Sequence, residues 1–240
     1  MKNESLKARS EITRSSLMRA AEKLFAEHGV ENVTVRAIVD ESGQKNQSAL
    51  QYHFKNRQGL IEAIHQFRNG QTQLERSRLL HDLLERNPMP TLREICGLLV
   101  EPAFLLARRD DTFRQWVKAF DQGVVSSGLQ VMKRIAVDKN DSTLETARLL
   151  RAILSHIDNR IFTHRFDSAI RFAGLSMSQH ALEQHAFRGP RADVFLNMLI
   201  DAIAGLLAAE VSTQTRKALD STKQPYSVPK SMSDPKSISS

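Results

Sequence analysis

At 240 residues, 41% hydrophobic and 25% charged, the chain has the makeup of a globular protein, long enough for one sizeable core or for a small domain beside a larger one. Its single cysteine, Cys96, excludes an intramolecular disulfide framework and a multi-cysteine zinc site, and its most apolar run, "FLNMLIDAIAGLLAAE", is interrupted by Asp201 and too short to span a bilayer. The net charge of +7 sits at the two ends: residues 1–60 hold ten Lys/Arg against seven Asp/Glu, 61–213 nineteen against eighteen, and 214–240 five against two.

Residues 1–10 are charged, lack the apolar core of a signal peptide and read as a flexible N-terminus of a cytoplasmic protein with no membrane partner. Strand signals are nearly absent and a period of 3.6 recurs almost everywhere, so the fold class is all-α. A first helix covers Glu11 to His28, because Leu17, Ala20, Ala21, Leu24 and Phe25 form one stripe and Gly29 stands at the C-cap. Thr34 is placed to cap a second, short helix whose Val35, Ile38 and Val39 share a face, and Gly43 ends it.

Residues 46–54 predict a third short helix, with Asn46 as its cap. At about 100° per residue, Gln47, Ser48, Gln51 and Tyr52 fall on one side, and Ala49, Leu50 and Phe54 on the other. An apolar face thus backs a face made of hydrogen-bonding groups. Two short helices joined by a glycine turn, the second with such a face, form a helix-turn-helix, whose second helix enters the major groove of DNA. Residues 11–56 are read as that three-helix DNA-binding domain.

The larger helical domain, 57–215, opens with a long helix starting near Asn56, with Leu60, Ile61, Ile64 and Phe67 inward. Pro88 and Pro90 end the pattern, and Thr91 with Glu94 makes a capping box for the next helix. Asp110 or Asp111 can cap "TFRQWVKAFDQ", and Gly123, Ser126, Ser127 and Gly128 mark a bend or break. Ser142 with Glu145 predicts a second capping box, opening one helix in which Ala147, Leu150, Leu154, Ile157 and Ile161 repeat at 3-4-3-4 spacing. Gly189 and Pro190 start a last helix with Phe195, Leu199, Ala202, Leu206 and Ala209 in line, and 216–240 is a Ser/Pro/Lys-rich tail expected to be disordered.

The blocks "SLMRAAEKLFAEHGVENVTVRAIVDESG" and "SALQYHFKNRQGLIEAI" closely resemble the N-terminal DNA-binding domain of the TetR family of bacterial transcription regulators, over about residues 11–65. Gly43 to Phe54 is one step longer than the commonest family spacing, which leaves Asn46, Gln47 and Ser48 as candidates to lead the recognition helix. The resemblance implies that Thr34, Tyr52, His53 and Lys55 meet phosphates, with Lys45 of the turn beside them, and that Gln47, Ser48 and Gln51 face bases. It further implies a ligand-responsive repressor: a homodimer on a double-stranded, pseudo-palindromic DNA operator, released by a small-molecule effector. Tyr52 and His53 are also open to a packing role.

For the dimer, the seams carrying Leu150, Leu154, Ile157, Leu199, Ala202 and Leu206 are the candidate interface, the alternative being the chain's own core. Phe113, Trp116 and Phe120 share a helical face and are candidates to line an effector pocket, although such a stripe more often means core. Arg148, Arg151, Asn159 and Arg165 could meet an anionic ligand or form a solvated face. An enzyme is not expected, nor a metal or cofactor: His156 and His164 are eight apart and His180 and His185 five, neither the i, i+4 spacing of a zinc helix. Ser155, His156 and Asp158 are too crowded on one helix for a nucleophile, base and orienter. A helical small-molecule carrier, the remaining rival, has no use for the polar face at 47–55.

Overall fold

The computed structural model describes residues 2–126 and 142–221, with side chains over 8–119 and 142–221. Among the described residues there are ten α-helices and no strand. Helix α1 is Lys2–His28, followed by a 3-10 turn at Val30–Asn32, α2 at Val35–Glu41, α3 at Ser48–Phe54 and the long α4 at Arg57–Arg86. Then come α5 at Leu92–Arg109, α6 at Asp111–Ser126, α7 at Ser142–Ile153, α8 at Asn159–Ala181, α9 at Gly189–Ala208 and the short α10 at Thr213–Ser221.

The helix ends follow from local chemistry. Thr34 accepts from the Ala37 N–H at 3.2 Å and starts α2. Asn56 accepts from the Gly59 N–H at 2.8 Å and starts α4. Thr91 and Glu94 form the expected reciprocal box at α5, and of the two candidate aspartates Asp110 caps α6, its Oδ1 accepting from the Thr112 N–H at 2.8 Å. Each satisfies backbone donors that a helix start otherwise leaves orphaned.

Two apolar clusters result. The smaller joins α1, α2, α3 and the start of α4 around Leu17, Phe25, Ile38, Leu50, Leu60 and Ile64. The larger fills the space between the end of α4 and helices α5 to α9. Trp116 of α6 packs against both, and α6 lies along α1 on one side and α8 on the other.

Several expectations need correction. The first helix begins at Lys2, well before Glu11, and α10 occupies 213–221, so part of the expected tail is helical; its remainder, from 222, lies outside the described residues. Helix α6 runs straight through Gly123 to Ser126, while Ser127 and Gly128 lie outside the described residues. Phe67 is exposed rather than inward. Ser142 opens no capping box visible in its bonds: its hydroxyl, inside α7, lies 2.6 Å from Gln73 Oε1 on α4.

The largest correction concerns the expected single helix from 142 to 166. It breaks after Ile153, and Asp158 restarts the chain as α8 by accepting from the Arg160 N–H at 2.8 Å. The apolar spacing continues across the break because the corner itself is packed: Leu150, Leu154 and Ile157 are buried in this chain's own core, and so is Leu199. These four therefore do not belong to a surface seam. Of the six interface candidates, Ala202 is exposed and Leu206 half-buried.

Candidate nucleic-acid interface

Helix α3 settles its own start. Gln47 is the N-cap residue, Ser48 the first helical one, and the Asn46 side chain accepts from the Ser48 N–H at 3.0 Å. Asn46 thus acts as a cap outside the helix, and the glycine turn, with Gly43 at φ 73°, is spent before it. Leu50 and Phe54 turn into the smaller core, whereas Gln47, Ser48 and Gln51 are exposed together. Tyr52 is 80% exposed, so its ring does not serve the core.

Around this face stand Thr34, Lys45 and Lys55, all exposed, together with Arg36, which pairs with Asp40 at 3.8 Å. The Thr34 hydroxyl oxygen is already engaged in capping α2, which leaves its O–H hydrogen free to donate outward. His53 is half-buried on the flank toward α1, edge-on to Tyr52 with ring centroids 5.0 Å apart. Burial pushes its imidazole below the ordinary 6.5, Glu11 pulling up and Arg14 pushing further down. An open cleft of about 670 Å³ lies between α1 and α3, lined by Thr13, Lys45, Asn46, Ser48, Tyr52 and His53 among others. Lysine, hydroxyls and amides there are groups that hold phosphate oxygens.

Three supporting residues escape a reading of sequence. Arg57, at the start of α4, donates from Nε to the Val33 carbonyl at 3.2 Å and from Nη2 to Val30, over the Phe25 ring, and so ties the 3-10 turn to α4. Thr13 lines the cleft from α1, and Arg14 lies over the Phe54 ring at 5.5 Å. Arg57 is 24 residues from its partner, so no local pattern signals it; Thr13 and Arg14 lie on the polar side of an ordinary amphipathic helix.

Away from this face, the other site candidates are placed differently. Phe113 is fully buried, with its ring under the Arg68 guanidinium and 5.0 Å from that of Trp116. Trp116 is half-buried, and the side chain of Phe120 lies outside the described residues. Arg151 donates to the Leu154 carbonyl at 2.7 Å and Arg165 to the Leu207 carbonyl at 3.1 Å, which makes them caps of α7 and α9. Among the described residues no cluster of three metal-ligating side chains occurs, and no single helix is long and apolar enough to cross a membrane.

Two short helices joined by a glycine turn, the second backed by Leu50 and Phe54 and presenting Gln47, Ser48 and Gln51, define a helix-turn-helix DNA-binding domain. Residues 17–64 match the family model described as bacterial regulatory proteins, tetR family, so this segment is similar to the DNA-binding domain of that family, which supports a DNA-binding transcription regulator. No curated protein matches the chain.

Proposed function

We propose that the protein is a ligand-responsive repressor that grips a pseudo-palindromic operator as a homodimer, in the cytoplasm, with Gln47, Ser48 and Gln51 reading bases and Thr34, Lys45, Tyr52, His53 and Lys55 on phosphates. One observation carries this reading: the polar arc of α3 faces outward while the opposite arc is spent entirely on packing. A glutamine amide pairs bidentately with adenine N6 and N7, and the groups around it suit backbone oxygens. A helix of seven residues reads only a few base pairs, so tight binding needs two copies.

Residues 57–215 supply the regulatory and dimerisation parts. Exposed apolar side chains, Phe172 and Leu175 on α8 and Val194 and Met198 on α9, form a stripe that a second copy would cover. For an effector, Trp116 offers a buried indole N–H with no acceptor among the described residues, at the junction of the two cores. Selecting bound fragments from sheared genomic DNA and comparing wild type with Gln51→Ala by gel shift tests the reading. Recovery of a two-fold symmetric site whose preference is lost in the variant is expected. Uniform binding to all fragments, unchanged by Gln51→Ala, would overturn it.

A further inference from the structure

The guanidinium of Arg68, on α4, is 3% exposed and has all five of its N–H donors used. Nε and Nη2 form a two-pronged bond to Glu22 of α1, at 2.7 and 2.9 Å, and Glu22 is itself 2% exposed. Nη1 reaches Gln71 at 2.9 Å and Asp110 at 3.3 Å, and Nη2 also reaches the Thr112 hydroxyl at 2.8 Å. The rings of Phe67 and Phe113 lie 5.3 and 5.6 Å from the guanidinium carbon and shield it from water.

Three elements therefore meet on one planar group: α1, which belongs to the DNA-reading core, α4, and the corner between α5 and α6, which belongs to the larger core. The apolar contacts across the same junction, Trp116 and Ala119 against the smaller core, are non-directional and tolerate sliding. A fork with fixed donor directions does not. Burial pushes the Glu22 carboxyl above its ordinary range despite the guanidinium beside it, so the ionised network carries a desolvation cost that an apolar pair at 22 and 68 would avoid. What the network supplies in return is orientation.

We infer that Arg68 is a positioning residue for DNA binding: through Glu22, Asp110 and Thr112 it fixes the angle at which the helix-turn-helix is carried on the regulatory body. This rests on the DNA-binding reading of α3, but its geometric content can be measured without DNA. Nitroxide labels at Glu31→Cys and Gln184→Cys, both exposed, in a Cys96→Ala chain, report the distance between the reading domain and the turn between α8 and α9 on the body. Dilution with excess unlabelled protein leaves one labelled chain per assembly.

The parent should give one narrow distance. The double replacement Glu22→Leu with Arg68→Met, which removes both charges and leaves no buried ion unpaired, should keep helical content and melting within a few degrees yet broaden or shift that distance. Arg68→Lys, which keeps the charge and loses the fork, should broaden it as well and serves if the double variant does not fold. Both should bind a selected operator about tenfold more weakly with the salt slope unchanged, since no phosphate contact is removed. An unaltered narrow distance in either folded variant would overturn the inference. A parent chain that binds no duplex would sink the DNA reading and leave the distance comparison standing.

Discussion

The Cα of Gly59 lies against the carbonyl oxygen of Phe54, so close that a Cβ at position 59 would overlap that oxygen. The last residue of α3 and the first turn of α4 are thereby pressed together at the base of the recognition helix. Gly59→Ala adds a good helix former, worth about 1 kcal/mol, but forces a backbone atom to move, an overpacking cost of roughly 1–3 kcal/mol. The clash is expected to win. Thermal melting should fall by several degrees and operator binding should weaken with it; a variant melting above wild type would show that the junction can open freely.

Lys55 sits at the centre of the same junction with φ 68° and ψ −49°, and the Asn56 N–H bonds back to the Phe54 carbonyl at 2.8 Å. This is a γ-turn of the rarer, strained hand. Lys55→Gly should therefore raise stability, by about 1 kcal/mol, because glycine adopts positive φ without a Cβ penalty. It should at the same time weaken binding to every duplex and reduce the salt slope by about one unit, as the loss of one phosphate contact requires. Opposite signs in melting and affinity are the readout, and a loss confined to one sequence would contradict the phosphate role.

Gln51 presents the opposite case. It is exposed beside Gln47 and Ser48. Gln51→Ala should leave melting unchanged and cost roughly 1–3 kcal/mol of discrimination at one base pair of each half-site. Competition gel shifts with single-base operator variants would locate that pair.

How much of this was legible in the sequence depends on how local the chemistry is. Thr34, Asn56 and the Thr91–Glu94 box act over three residues, and each cap is where side-chain chemistry puts it. The break between α7 and α8 was hidden because Leu150, Leu154, Ile157 and Ile161 keep a helical spacing while packing a corner; only Asp158 before Asn159 signals a restart. The same ambiguity made a surface seam of a core. Long-range ties such as Arg57 to Val33 and Arg68 to Glu22 leave no periodic trace, since an arginine on a helix looks alike whether it is solvated or buried on a carboxylate.

His53 predicts a pH dependence. In the free protein burial, reinforced by Arg14 and opposed by Glu11, holds its imidazole below the ordinary 6.5, so it is neutral at pH 7. A phosphate in the cleft that Lys45 and His53 both line favours the imidazolium and raises the value in the complex. Binding therefore takes up a proton. Affinity should rise as pH falls through and below 6.5 and level off once the free protein is also protonated. His53→Gln should be flat over that window; a wild-type affinity independent of pH there would place the phosphate away from His53.

The last consequence concerns the proposed dimer. With Leu199 turned inward, the outward line of α9 is Val194, Met198, Ala202 and Gly205, at spacings of four, four and three, and Met198 is 66% exposed. Small residues at 202 and 205 let a partner helix approach closely, and Phe172 and Leu175 of the neighbouring α8 widen the stripe. A second copy meeting it about a two-fold axis would form a four-helix packing from two α8 and two α9 helices. Met198→Arg puts two like charges near that axis while disturbing no intrachain contact of the core. The variant should keep its helicity and melting, run as a monomer in light scattering, and lose tight operator binding, because the second half-site is then no longer held at high effective concentration. A Met198→Arg protein that remains dimeric and binds its operator normally would move the interface off α9.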